Sequence, residues 1–101
     1  MQTVSKVTCN NNGGFVMKFR VFWKDGASGW TNTFPIDQSA TIDLTTLNIP
    51  KWSEVGVEAH AELGEDKHCH DYVQYDPDSS NNATYRVSGT TLDIDIKLEG
   101  S

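Results

Sequence analysis

The last quarter of the chain carries its own pairing instructions. Ala83, Tyr85 and Val87 alternate with Thr84 and Arg86. After a Ser88-Gly89-Thr90-Thr91 turn, Leu92, Ile94, Ile96 and Leu98 alternate with Asp93, Asp95 and Lys97. Period-two alternation on both sides of a glycine turn specifies a β-hairpin. With Gly89-Thr90 as a two-residue loop, Val87 faces Leu92, Tyr85 faces Ile94 and Ala83 faces Ile96 on one side. Arg86 faces Asp93 on the other, an opposite-charge pair that favours the same register. Such a segment commits the fold to paired antiparallel strands.

The rest of the sequence keeps that rhythm. Turn-forming clusters recur at short, even intervals, and the stretches between them alternate: Thr3–Cys9, Phe15–Trp23, Trp30–Phe34, Ala40–Leu44, Glu54–Leu63 and His68–Tyr75. No segment has a sustained helical period and no linker divides the chain. The expectation is an all-β fold over one domain, residues 1–101. Its form is an antiparallel two-sheet β-sandwich of about eight short strands, Ig-like or jelly-roll, with a closed barrel as second choice. Within it, Asn10–Gly14 joins the first two long strands as a hairpin with Gly13 left-handed. Cys9 then faces Phe15, Val7 faces Met17 and Lys6 faces Lys18. Val55, Val57, Ala59, Ala61 and Leu63 form an inward stripe, and Trp23, Trp30 and Phe34 join the core.

Composition narrows function more than it names it. Eight basic against fourteen acidic side chains leave a net charge of −6, which argues against generic nucleic-acid binding. The charge is divided: residues 1–52 carry +2 and residues 53–101 carry −8. No apolar run reaches the length of a membrane helix. Met1 precedes polar residues without a basic start or apolar stretch, so the expectation is a mature form or a chain made without an export signal. Cys9 and Cys69 read as one disulfide in an exported protein or as two buried thiols in a cytosolic one. A Gly-Gly after the first strand and alternating strands ending in a tight hairpin are similar to small exported β-sandwich modules of microbes. That similarity implies an extracellular setting, with a cytoplasmic one as the alternative, and no activity.

Four groups of residues are candidate sites. Trp52 lies between strands in Pro50-Lys51-Trp52-Ser53, where an exposed indole can cover the apolar face of a pyranose. Amide-rich and acidic loops supply Asn11, Asn12, Asp76, Asp78 and Asn81 for its hydroxyls. The Asp76–Asn82 loop also spaces its oxygens as calcium ligands are spaced, although it lacks the glycine and bidentate glutamate of an EF-hand. His60, Glu62, His68 and His70 converge on one face as a transition-metal set if Glu62 pairs with His68 and His60 with His70. Arg20 and Phe22 belong to a basic outer face with an apolar anchor. Catalysis has little support, since Gly26-Ala27-Ser28-Gly29-Trp30 lacks the last glycine of a nucleophile elbow.

The leading expectation is therefore a non-enzymatic binding module that recognises a carbohydrate or cell-surface ligand through end loops. One alternative is a small defence or toxin-like protein engaging a membrane or host protein through its basic face. Another is a metal-binding protein built on the histidine hairpin.

Overall fold

Val55, Val57, Ala59 and Ala61 leave one face of a strand fully buried, so that strand belongs near the middle of a sheet. In the computed structural model, which describes residues 1–99, it is β6 (Glu54–Ala61). The sheet around it runs β1 (Thr3–Val4), β7 (Asp66–Tyr75), β6, β3 (Met17–Trp23) and β4 (Gly26–Ala27). A second sheet runs β5 (Ser39–Asp43), β2 (Lys6–Asn11), β8 (Asn82–Thr90) and β9 (Asp93–Leu98). The two sheets face each other as a sandwich, and no closed barrel forms among the described residues. Most neighbours are antiparallel, but β1 pairs with β7 and β2 with β8 in parallel.

The core is the sum of the inner faces. Met17, Phe19 and Val21 come from one sheet; Val7, Cys9, Tyr85, Val87 and Ile94 come from the other. Tyr85 is wholly buried, and its hydroxyl donates to the Asp71 carbonyl at 2.6 Å, which satisfies the one polar atom the ring brings inside. A 3-10 turn, Leu44–Thr46, follows β5 and is capped by Asp43, whose carboxylate accepts from the Thr45 backbone.

Two registers differ from those the sequence suggested. β2 and β3 are not a hairpin: they lie in different sheets, so Cys9 does not pair with Phe15, nor Lys6 with Lys18. Lys6 pairs with Asp43 and Asn82, while Lys18 pairs with His60. The cause is Asn11, which is fully buried. Its side chain donates to the carbonyls of Phe15 (2.8 Å) and Phe34 (3.1 Å) and accepts from the Gly13 backbone (3.0 Å), turning the chain across the sandwich. Gly13 is not left-handed; Gly89 is the described glycine with positive φ, at 99°.

The C-terminal hairpin forms, but its turn is Thr91-Leu92, with Thr90 opposite Asp93. Val87 then faces Ile96, Tyr85 faces Leu98, and Arg86 faces Lys97 rather than Asp93. The slip is even, so Tyr85, Ile94 and Ile96 keep their inward direction. The neighbouring hairpin sets it: the Glu65 backbone donates to Thr91 O at 2.8 Å, and the Glu65 carboxylate accepts from Ile94 N at 3.0 Å. Trp30–Phe34 is not a strand, contributing only a bridge between Phe34 and Met17. Leu63 ends the inward stripe early and is fully exposed.

Cys9 and Cys69 are free thiols, both buried, so the disulfide expected for an exported chain is absent. Burial pushes both thiols above their usual range, and it pushes the Tyr85 phenol up as well. The native protein should therefore resist a thiol-specific reagent at pH 8 and react at both cysteines only after denaturation. Above about pH 8.5 the unfolded chain begins to release thiol protons that the native state retains. Stability should fall as pH rises through that range, read as a lower denaturant midpoint at pH 9.5 than at pH 7.5.

Candidate functional site

Adjacent strands β3, β6 and β7 place three rows of outward side chains side by side. Arg20 is opposite Glu58, and Glu58 is opposite His68. Glu58 is only 4% exposed although it lies on the outer face. Arg20 Nε donates to its carboxylate at 2.7 Å, and His68 Nε2 lies 3.5 Å from the same oxygen. The Trp30 ring, which the sequence placed in the core, instead covers this pair from outside, with Arg20 4.5 Å and Lys18 5.1 Å from the ring centre.

Gly56 explains the next row. It sits opposite Phe22, where a side chain would come within 2.6 Å of the Phe22 ring and 2.9 Å of the Cys69 carbonyl. Phe22 fills that space and is ringed by His68 (5.1 Å), His70 (5.9 Å) and Tyr72 (6.1 Å). The register shift between Val55 and Val57 carries both His70 and Tyr72 to this face, where the two are hydrogen-bonded at 2.8 Å. The histidines thus lie on one face, as the sequence suggested, but each has a separate partner. His60 bonds Asp66, His68 approaches Glu58, and His70 bonds Tyr72. Glu62 lies in the turn beyond β6. Among the described residues no group of three metal-ligating side chains converges, so the metal site proposed from His60, Glu62, His68 and His70 does not form. A continuous basic face does not form either, because Lys6 and Lys18 belong to opposite sheets and Arg20 is neutralised by Glu58.

The aromatic row leads to a groove of about 530 Å³ at one end of the sandwich. Phe22, Trp23, Tyr72 and Pro50 give it an apolar lining, and Lys24, Asp25, Ser53 and Glu54 supply polar groups. Trp52 lies in sequence between the lining residues Pro50 and Ser53 and is 51% exposed, with Lys51 Nζ 4.9 Å from its ring centre. Its backbone is left-handed, φ 73°, and is clamped there: its amide donates to Tyr75 O at 2.7 Å and its carbonyl accepts from Gln74 Nε2 at 3.3 Å. Asp76, Asp78 and Asn81 occupy a loop at the same end, with Asp78 3.6 Å from Lys51. Their side chains mostly serve the loop itself. Asp76 accepts from Asp78 N, and Asn81 and Ser79 donate to Thr3 O.

Asn11 and Asn12 are at the opposite end, Asn11 buried as a structural clamp. That end holds two residues the sequence reading missed as surface features. Leu63, fully exposed with φ 59°, tips the β6–β7 turn, and Leu92, 76% exposed, tips the β8–β9 turn. The turns are joined by the Glu65–Thr91 backbone bond. Leu63 was misread because its parity continues the β6 stripe one step past the strand's end.

No family model matches the chain, and no curated protein does. Among solved structures, its fold resembles part of a disulfide-locked mutant of intermedilysin with human CD59, at 19% identity and a TM-score of 0.53. The match covers 96% of this chain and 24% of that one. A Gram-negative toxin aligns at 17% identity and a TM-score of 0.56, covering 96% and 23%. The sugar-binding protein pneumolysin aligns at 13% identity and a TM-score of 0.50, covering 94% and 23%. The chain spans about a quarter of the length of each. At these identities the resemblance is one of fold.

The Arg20–Glu58 pair has a measurable consequence. Arg20→Ala leaves a buried carboxylate with only His68 near it and should cost about 1–3 kcal/mol in denaturant unfolding, below a fully buried pair because Arg20 is partly exposed. Adding Glu58→Gln should restore part of that loss; a double variant whose loss equals the sum of the two single variants' losses would show that the pair carries no coupling.

Proposed function

We propose that this chain is a non-enzymatic binding module, acting outside the cell, that recognises a carbohydrate on a cell surface through the loops around Trp52. The observation that carries the reading is the indole itself: half exposed, held in a left-handed turn by one backbone bond and one from the Gln74 side chain, and flanked in sequence by residues that line a groove with aromatic walls. Left-handed backbone at a bulky residue costs of order 1–2 kcal/mol, and such strain gathers at binding sites. A flat apolar ring covers the C–H face of a sugar, while Asp25, Ser53 and Glu54 accept from or donate to its hydroxyls. The fold supports the same direction, since one of the structures it resembles is a Gram-negative toxin. A second is described as a sugar-binding protein, and a third was solved with the human protein CD59.

On a glycan array and on intact cells, Trp52→Ala should weaken binding about 10- to 100-fold, equivalent to roughly 1.4–3 kcal/mol, with the melting temperature unchanged. Undiminished binding by that variant would remove the proposed contact.

A second reading has its own support at the other end. Leu63 and Leu92 are carried together on two joined turns, and burying each in a lipid surface contributes up to about 1.5–3 kcal/mol. Co-sedimentation with phosphatidylcholine vesicles should be reduced several-fold by Leu63→Asp with Leu92→Asp. It should survive high salt, unlike attachment through basic side chains. Sedimentation abolished by salt would contradict an apolar anchor.

A further inference from the structure

The chain has two kinds of polar loop, and they differ in what their side chains do. Around Asp43, and from Asp76 to Asn82, the side chains turn back on the protein. Asp43 accepts from Thr45; Asp76 accepts from Asp78 N; Ser79 and Asn81 donate to Thr3 O; Asn82 exchanges bonds with Thr8. At the opposite end, Asn10, Asn12, Asp37, Gln38 and Ser39 line an open pocket of about 300 Å³. None of those five side chains is engaged in a hydrogen bond with another described residue. Their hydrogen-bonding groups face solvent in a preformed concavity rather than completing the fold.

The frame behind them is fixed. Asn10 pairs with Ser39 across β2 and β5. Asn11 N donates to Gln38 O at 2.9 Å, Asp37 N donates to Asn11 O at 2.7 Å, and Asn12 N donates to Val87 O at 2.7 Å. The buried Asn11 side chain anchors the floor through its bonds to Phe15 O, Phe34 O and Gly13 N. Asp37 is held at φ 68°, a conformation an L-residue adopts at a cost. The three described non-glycine residues with positive φ are Asp37, Trp52 and Leu63. The other two each mark a surface proposed above for binding, whereas Asp37 marks this pocket.

We infer that the pocket formed by Asn10, Asn12, Asp37, Gln38 and Ser39 is a second, independent site that binds the hydroxyl-rich edge of a neutral sugar. The chemistry of the lining decides the ligand class. Amides and a hydroxyl both donate and accept, and one carboxylate accepts, which matches sugar hydroxyls that also do both. A single carboxylate is too little charge for a tight calcium site, which gathers six to eight oxygens with several carboxylates. The absence of any basic side chain in the lining turns away phosphate and carboxylate ligands. No aromatic ring lines the pocket, so it grips by hydrogen bonds alone and its affinity is in the millimolar range. The inference extends the reading of a surface-binding module but does not depend on the Trp52 groove, because the two sites are at opposite ends. A module with a sugar site at each end can bridge two glycans.

The test is a titration of isotope-labelled protein with free glucose, galactose, mannose, fucose and N-acetylglucosamine, followed by the side-chain amide resonances of Asn10, Asn12 and Gln38. At least one sugar should shift them saturably at millimolar concentration, equally in the parent protein and in Trp52→Ala. Asn12→Ala with Gln38→Ala, both at exposed positions, should abolish those shifts while the melting temperature stays within a degree or two. If none of the five sugars moves these resonances, or if calcium chloride alone moves them, the sugar site is overturned. If only resonances around Trp52 respond, the second site falls and the proposal for the Trp52 groove stands. If these amides respond while Trp52→Ala leaves all glycan binding intact, the Trp52 proposal falls and the second site stands.

Discussion

The ladder between β2 and β8 is the constraint on which the rest of the sandwich depends. It joins the first long strand to the next-to-last in parallel, from Lys6 opposite Asn82 to Asn11 opposite Val87. Once β2 has β5 on one side and β8 on the other, it has no free edge for β3, which must cross to the facing sheet. Val7 and Cys9 then meet the inner faces of β3 and β7 across the core instead of lying beside them. Pairing between residues so distant in sequence carries a large loop-closure cost before it gains contacts, so folding should be slow for the chain's size. It also leaves the chain crossing the ends of the sandwich repeatedly, and those crossings carry the surfaces proposed for binding.

The sequence was informative about faces and poor about partners. Period-two alternation correctly placed Val55, Val57, Ala59 and Ala61 inside, because the direction of a side chain is a local property of an extended chain. Partners are non-local. Asn10-Asn11-Asn12-Gly13-Gly14 has the composition of a hairpin turn, yet Asn11 acts as a buried clamp that only three-dimensional packing reveals. The closing hairpin kept its faces and lost its register because Glu65, from another turn, takes hold of Thr91 and Ile94. The histidine face was legible, but whether its members converge was not. A bulge opposite Gly56 decides that, and nothing in the local pattern announces a bulge. Phe22 and Arg20 were placed correctly on the outside, where neighbours from β6 and β7 enclose one and neutralise the other.

Strain and exposure coincide in this molecule. Trp52 and Leu63 are the bulky residues held left-handed, and both are exposed; neither conformation is needed to complete the core. A sandwich tolerates such turns because the two sheets over-determine the positions of the strands that flank them. The same logic separates the flat faces from the ends. On the outer face of the five-stranded sheet, Arg20, Glu58, His68, Phe22 and Trp30 satisfy one another, whereas the ends present exposed leucines and amides that make no side-chain hydrogen bond or ring contact with another described residue.

That separation is the central claim: the sheets are scaffold and the ends meet the ligand. Hydrogen-exchange footprinting of the protein bound to intact cells tests it most directly. The account predicts protection confined to the end segments, residues 50–54 at one end and residues 10–12, 36–39, 62–65 and 91–92 at the other, with the middle of β3, β6 and β7 unchanged. Protection centred on Arg20, Glu58 and His68, with the ends unaffected, would contradict it.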